Sequence, residues 1–160
     1  MTVIHASFTI ERTYRHAPAR VFSAFADPEA HARWFVKGEG FVIADMVHDF
    51  RVGGHEVGRF GQTEAGPIFV NDTWYLDIVE NARIVMAYTM SMVAGSIDGG
   101  PPSHAPFSAS LATIEIIADG KGTRLVFTEQ SAFFEGADGP EMRKAGWTSL
   151  LDALGRELDR

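Results

Sequence analysis

Six consecutive segments of the chain alternate between apolar and polar side chains, and no helical periodicity interrupts them. They cover residues 41–48, 54–61, 68–79, 83–93, 107–118 and 123–131. The turn sequences RVGG, EAGP, ENAR and DGKG and one long connection, AGSIDGGPPSHAP at 94–106, separate them. A period of two is typical of strands with one buried face, and closely spaced strands without intervening helices favour an antiparallel meander. This series of strands is the strongest constraint on the fold.

The residues on either side of these segments predict one more strand and three helices. SFTIERTYR (7–15) alternates as a first strand, and two short helices follow it, beginning near Pro18 and Pro28, because proline suits the first turn of a helix. The segment after Pro140 carries an apolar stripe at helical spacing that predicts a helix of about five turns; its members are Trp147, Leu150, Leu151, Leu154 and Leu158. The predicted order is β-α-α-β-β-β-β-β-β-α, an α+β fold in a single domain over residues 1–160.

The stretch IVMAYTMSM, residues 84–92, has an unusual buried face. Read at period two, Met86, Tyr88 and Met90 lie on one side of the strand. Methionine is flexible and suits adaptable surfaces, and one helix covering a wide sheet leaves space between the two layers. We therefore predict that this stripe lines a cavity opposite the last helix, with an ordinary packed core as the alternative. By parity and position the other lining residues are Trp34, Phe60, Trp74, Leu76, Trp147 and Leu151.

Two acidic residues share parity with inward-facing neighbours. Glu129 follows Leu125 and Phe127 at period two, and Glu56 precedes Phe60 in the same way. A carboxylate in an apolar cavity must be paired or have its pKa raised, and such a group can orient a ligand or transfer protons. The alternative is that both strand ends twist and both carboxylates reach water.

The composition and the remaining motifs exclude several function classes. Lys and Arg total 14 against 21 Asp and Glu, so the net charge of −7 disfavours nucleic acid and anionic membranes. Cysteine is absent, no run of about 18 apolar residues exists, and the N-terminus lacks a signal-peptide pattern. We therefore expect a cytoplasmic protein without disulfides, with no nucleic-acid or membrane partner; a homodimer is compatible with the sequence but not required by it.

The histidines and glycines do not form a recognisable cofactor motif. The six histidines show no metal-ligand spacing, and His48 and His55, which flank the RVGG turn, are interpreted as surface residues. Walker, Rossmann and G-x-S-x-G patterns are absent. We predict no metal site and no cofactor, and we assign Arg51, Gly53 and Gly54 to the structure of the turn.

Several segments of the sequence resemble one known family. FTIERTYRHAPARVFSAFADPEAHARWF, DFRVGGHE, TWYLDIVENARIVMAY, GTRLVFTEQSAFFEG and the GW..LLDAL of the last helix are similar to the activator-of-heat-shock-protein-ATPase branch of the START and birch-pollen-allergen-like (SRPBCC) superfamily. The resemblance runs from about residue 7 to 158. It implies a helix-grip fold, in which a curved seven-stranded antiparallel sheet wraps around the long C-terminal helix with a cavity between them.

The resemblance specifies the fold more closely than the function, because proteins with this fold have many different activities. The leading hypothesis is a protein that binds a small apolar or amphipathic molecule between sheet and helix. The second is a cyclase, dehydratase or hydrolase that uses Glu129, Glu56 or Tyr88 for proton transfer in the same cavity. The third, which follows from the family name alone, is a co-chaperone acting on a heat-shock ATPase.

Overall fold

The computed structural model describes residues 2–35, 42–61, 68–93, 106–134 and 139–160. Its elements follow the predicted order: β1 (Ile4–Tyr14), α1 (Pro18–Ala26), α2 (Pro28–Trp34), β2 (Val42–His48), β3 (His55–Gly61), β4 (Ile68–Val79), β5 (Arg83–Val93), β6 (Ser108–Asp119), β7 (Gly122–Phe133) and α3 (Pro140–Leu158). The main differences in length are that β1 begins three residues earlier than its alternation indicates and β7 extends two residues further. The predicted connection at 94–106 lies outside the described residues except for its last position.

The seven strands form one antiparallel sheet in the order β1-β7-β6-β5-β4-β3-β2. The chain thus runs as a meander from β2 to β7, and β1 pairs with β7 along its whole length, from Ile4 opposite Phe133 to Tyr14 opposite Thr123. The strands are long, and α3 packs on one face of the sheet, which is the predicted α+β helix-grip arrangement.

The apolar stripe of α3 faces the sheet. Trp147, Leu151, Leu154 and Leu158 are all buried, and the indole ring of Trp147 packs on Phe127 of β7 with the ring centroids 4.1 Å apart. Burying an aliphatic or aromatic side chain of this size contributes about 1.5–3 kcal/mol. This stripe therefore fixes which face of α3 is turned inward, as the spacing predicts.

Two polar contacts hold the C-terminal half of α3 in place. The Tyr14 hydroxyl of β1 donates a hydrogen bond of 2.7 Å to the carbonyl oxygen of Leu151. The Arg33 guanidinium of α2 donates from Nη2 and Nε to Oε1 of Glu157, at 2.6 and 2.9 Å. Sheet, α2 and α3 are thereby connected around one interior.

The β2–β3 turn requires its two glycines for different reasons. Gly53 has a φ of +79°, which a residue with a Cβ adopts at a cost. Gly54 has no room for one, because a Cβ would lie 2.1 Å from the carbonyl oxygen of Asp49. Arg51 closes the turn through Nε, 2.9 Å from Oδ2 of Asp49. The structural role assigned to Arg51 and the two glycines fits this geometry.

Candidate functional site

A small cavity lies between the sheet, α2 and α3. The centre of a water-sized sphere can occupy about 10 Å³ of it, which is roughly the room of one water molecule. Its walls are mainly apolar and aromatic, with a few buried polar groups; the lining residues are Phe25, His31, Phe35, Glu56, Asn71, Thr73, Tyr75, Ile84, Met86, Tyr88, Ile114 and Trp147. All three helices and four neighbouring strands, β3 to β6, therefore contribute to it.

Glu56 of β3 is the centre of a polar cluster in this wall. Its side chain is 4% exposed, and Oε1 lies 2.6 Å from Nε2 of His31 on α2. The Tyr75 hydroxyl of β4 donates a hydrogen bond of 2.7 Å to Oε2. His48, at the end of β2, stacks on His31 with the ring centroids 4.4 Å apart and brings Nδ1 to 3.8 Å from Oε1 of Glu56.

The neighbours of Glu56 determine its charge. Burial by itself raises the pKa of this carboxyl, but the attraction of His31 and the hydrogen bonds from His31 and Tyr75 outweigh it, so the pKa lies below its ordinary value. Burial, together with repulsion from His31, lowers the pKa of His48. Glu56 is thus a carboxylate at neutral pH, and His48 is a neutral imidazole.

A second polar cluster lies deeper, where α3 crosses β5, β6 and β7. Its centre is the ion pair between Glu129 and Arg143, with Nη1 3.4 Å from Oε2 and with Glu129 entirely buried. The Tyr88 hydroxyl donates to Oε1 of Glu129 and accepts hydrogen bonds of 3.0 Å from the Trp147 indole and from Arg143. The Ser131 hydroxyl donates to Oε2.

Serine hydroxyls of β6 accept further hydrogen bonds from Arg143. Its Nη2 donates to Oγ of Ser108 at 2.7 Å and its Nη1 to Oγ of Ser110 at 2.9 Å. Burial and the nearby Glu129 carboxylate raise the pKa of the Tyr88 phenol, so it stays protonated. With its charges paired and its hydroxyls bonded, this cluster anchors α3 to the sheet.

The two clusters differ in whether their polar atoms already have hydrogen-bond partners. At the deeper cluster the Glu129 carboxylate and the Tyr88 hydroxyl are both held by protein partners. At the Glu56 cluster, Nδ1 of His31 is buried and has no hydrogen-bond partner among the described residues. Such a group in a native protein calls for an explanation. The Glu56 cluster is therefore the better candidate for chemistry or ligand contact.

The structure brings most of the sequence-predicted residues to the interior. Glu56, Met86, Tyr88 and Trp147 border the cavity. Trp34, Met90, Glu129 and Leu151 are buried around it without bordering it, and Phe60 is partly buried and stacks on Phe69. Both glutamates thus point inward, the less common outcome for this residue type.

The placement of Trp74 and Leu76 in the cavity wall is wrong. Both lie on the opposite face of the sheet, 44% and 51% exposed, and Trp74 stacks on the ring of His55. The register explains the error, since β4 pairs Tyr75 with Met86 of the inner stripe. Residues directly opposite each other share a face of the sheet, so Asn71, Thr73 and Tyr75 face inward, and the register shifts immediately after Tyr75.

His31, His48 and Arg143 are site residues that were not predicted from the sequence. His31 and His48 are buried against Glu56, so the interpretation of His48 as a surface residue is wrong. His31 lies three residues before Trp34 and hence on the same face of α2, a signal that was available. Arg143 lies four residues before Trp147 on the inner stripe of α3, but its partners are 14 to 55 residues away in sequence.

A long helix on a seven-stranded antiparallel sheet, with polar groups buried between the layers, defines a START-like helix-grip protein. The family model described as "Activator of Hsp90 ATPase homolog 1-like protein" matches residues 15–159, and the chain belongs to this family.

Solved structures agree with this assignment. A protein from Rhizobium loti is 47% identical with a TM-score of 0.82, and the match covers 98% of this chain and 99% of that one. A protein from Rhizobium leguminosarum is 37% identical with a TM-score of 0.86, covering 99% and 97%. One from Chromobacterium violaceum is 29% identical with a TM-score of 0.73, covering 96% and 97%. No curated protein sequence matches the chain. Among the described residues, no helix is long and apolar enough to cross a membrane.

Proposed function

We propose that this protein binds a small apolar or amphipathic molecule between the sheet and α3. The observation that carries the proposal is the interior cavity, with apolar walls from Met86, Ile114 and Trp147 and a buried polar group, His31, on one side. A mainly apolar cavity with a few polar groups is the usual form of a small-molecule site. Proteins with this fold commonly bind hydrophobic ligands.

The small size of the cavity determines how a ligand would enter. Room for about one water does not hold an organic molecule, so binding requires side chains to move. Met86 is suited to this, because its unbranched side chain changes rotamer at low cost. Under this proposal Glu56, Met86, Tyr88 and Trp147 contact the ligand directly. The residues around them then complete the site: Trp34, Phe60, Met90, Glu129 and Leu151.

Titration with an environment-sensitive apolar dye tests the proposal. Met86→Ala enlarges the cavity and should increase the affinity for the dye by at least threefold. The matched control is Met142→Ala, since Met142 is 67% exposed on α3 and the truncation is chemically identical. Equal dye affinity in wild type and both variants would place the dye elsewhere and contradict the proposal.

A second candidate, an acid/base enzyme, is favoured by one observation. The pair of Glu56 and His31 borders the cavity, and a carboxylate that orients an imidazole is a common arrangement for a general base. Glu129 and Tyr88 are less suited to this role, because protein partners hold their polar atoms. The two functions can be distinguished by extracting a bound molecule and incubating it with fresh protein. A binding protein leaves the molecule unchanged, whereas an enzyme converts it.

A further inference from the structure

We propose that His31, His48 and Glu56 form a binding site for a divalent transition-metal cation, with Zn²⁺ as the ion that best fits the donor set. The three residues come from α2, the end of β2 and β3, and one ligand atom from each lies within 4.8 Å of the other two. Two imidazoles and one carboxylate are ligands that Zn²⁺ and its first-row neighbours prefer. The proposal goes beyond the small-molecule function above and shares His31, Glu56 and the cavity with it.

The three side chains converge on one point. Nε2 of His31 and Nδ1 of His48 lie 2.6 and 3.8 Å from Oε1 of Glu56. Zn–N and Zn–O bonds of about 2.0–2.2 Å place the ligand atoms of one ion about 3.3 Å apart, between these two distances. A small separation of His31 from Glu56 and a tilt of the stacked rings therefore suffice to admit an ion.

The partners of His48 and Glu56 resemble the outer shell of a metal site. Nε2 of His48 lies 3.1 Å from the carbonyl oxygen of Phe25, which can only accept, so Nε2 carries the proton and Nδ1 presents a lone pair towards Glu56. The Tyr75 hydroxyl donates to Oε2 of Glu56 and is 3.5 Å from Nδ1 of His48. Metal-bound histidines usually donate their other N–H to a carbonyl or carboxylate, and metal-bound carboxylates are themselves hydrogen-bonded.

His31 differs from His48 in its second ring nitrogen. Its side chain is 96% buried, and its Nδ1 has no hydrogen-bond partner among the described residues. His31 and Glu56 also border the water-sized cavity, which provides room for a water molecule as a fourth ligand.

Titration of chelator-treated protein with Co²⁺, followed by its visible absorption and by Zn²⁺ competition, tests the site. Wild type should bind one equivalent, and His48→Ala should weaken Co²⁺ binding by at least about tenfold. Tyr75→Phe removes the hydroxyl that contacts Glu56 and His48 and should weaken binding by about 10–100-fold. The matched control is His55→Ala, because His55 pairs with Asp72 at a half-exposed position and should not alter binding.

Two results would overturn the proposal: no Co²⁺ binding up to millimolar concentration, or unchanged affinity in His48→Ala. Paramagnetic broadening of wild-type amide signals by Co²⁺ locates the ion without any variant, so a variant that fails to fold leaves the question answerable. Broadening centred on His31, His48 and Glu56 supports the site. Broadening centred on the pair of His55 with Asp72 contradicts it.

Discussion

Removing both partners of the buried ion pair between Arg143 and Glu129 should destabilise the protein by much less than the sum of the two single losses. Arg143→Met leaves the Glu129 carboxylate, which is entirely buried, without its cation. Breaking a buried pair in this way costs about 3–5 kcal/mol. Because hydrogen bonds from Tyr88 and Ser131 still reach the carboxylate, we expect a loss near 3 kcal/mol.

The double variant separates pairing from packing. Glu129→Gln alone leaves the buried Arg143 guanidinium without its anion and should lower the free energy of unfolding by about 3 kcal/mol. The double variant, Glu129→Gln with Arg143→Met, removes both charges and keeps much of the side-chain volume. We expect the double variant to lose about 2–3 kcal/mol less than the sum of the single losses.

Urea denaturation at neutral pH measures all three variants against wild type. The exposed pair of Arg83 with Asp77, 2.7 Å apart, is the control, and Arg83→Met should change the free energy of unfolding by less than about 1 kcal/mol. If the single losses at Arg143 and Glu129 add within about 0.5 kcal/mol, the two residues are not coupled and the reasoning fails.

Three further predictions follow from the packing and the charges. Met86→Ala should destabilise the protein by less than Leu154→Ala, because Met86 already borders a void. We expect a loss near the low end of the usual range of about 2–5 kcal/mol, measured by urea denaturation. Equal losses for the two variants would contradict this prediction. Hydrogen bonds from Arg33 lower the pKa of Glu157, so their stabilisation is present above the ordinary carboxyl pKa and is lost as the pH falls through the lowered one. Glu157→Gln should therefore cost about 1 kcal/mol at pH 7 and progressively less below pH 4, and a loss independent of pH would contradict the assignment. Gly54→Ala should destabilise by more than about 2 kcal/mol in thermal melts, because its Cβ meets backbone that cannot move aside, and an unchanged melting temperature would refute the clash.

The strands and helices could be predicted because their signals are local. Proline at the start of all three helices and glycine-rich turns between strands mark the boundaries directly in the sequence. The stripe of α3 is clear for the same reason, since its apolar residues recur at helical spacing. The period-two pattern likewise places Met86 and Tyr88 on the same face of the strand, and this inference requires no information about a partner strand.

The face of β4 could not be predicted in this way. Both faces of β4 carry large apolar side chains: Trp74 and Leu76 lie on one face and Tyr75 lies on the other. Only the register with β5 decides which face is turned inward. A shift of one residue exchanges the faces. This long-range pairing is not visible in a single sequence.

The partners of the two buried glutamates were also beyond local patterns. Ser108 meets Arg143 across 35 positions, and His31 meets Glu56 across 25. A lone arginine on an apolar stripe looks like a surface residue until its partner is known. The deeper cluster and most of the Glu56 cluster therefore required the structure.

Native mass spectrometry of freshly purified, detergent-free protein tests the central claim most directly. If the interior between the sheet and α3 binds a small molecule, the native spectrum should show a mass above the 17.5 kDa chain that disappears on denaturation. Met86→Trp, which fills the cavity, should abolish that added mass in a folded protein. An added mass that persists unchanged in Met86→Trp, or a native mass equal to that of the bare chain in every preparation, would contradict it.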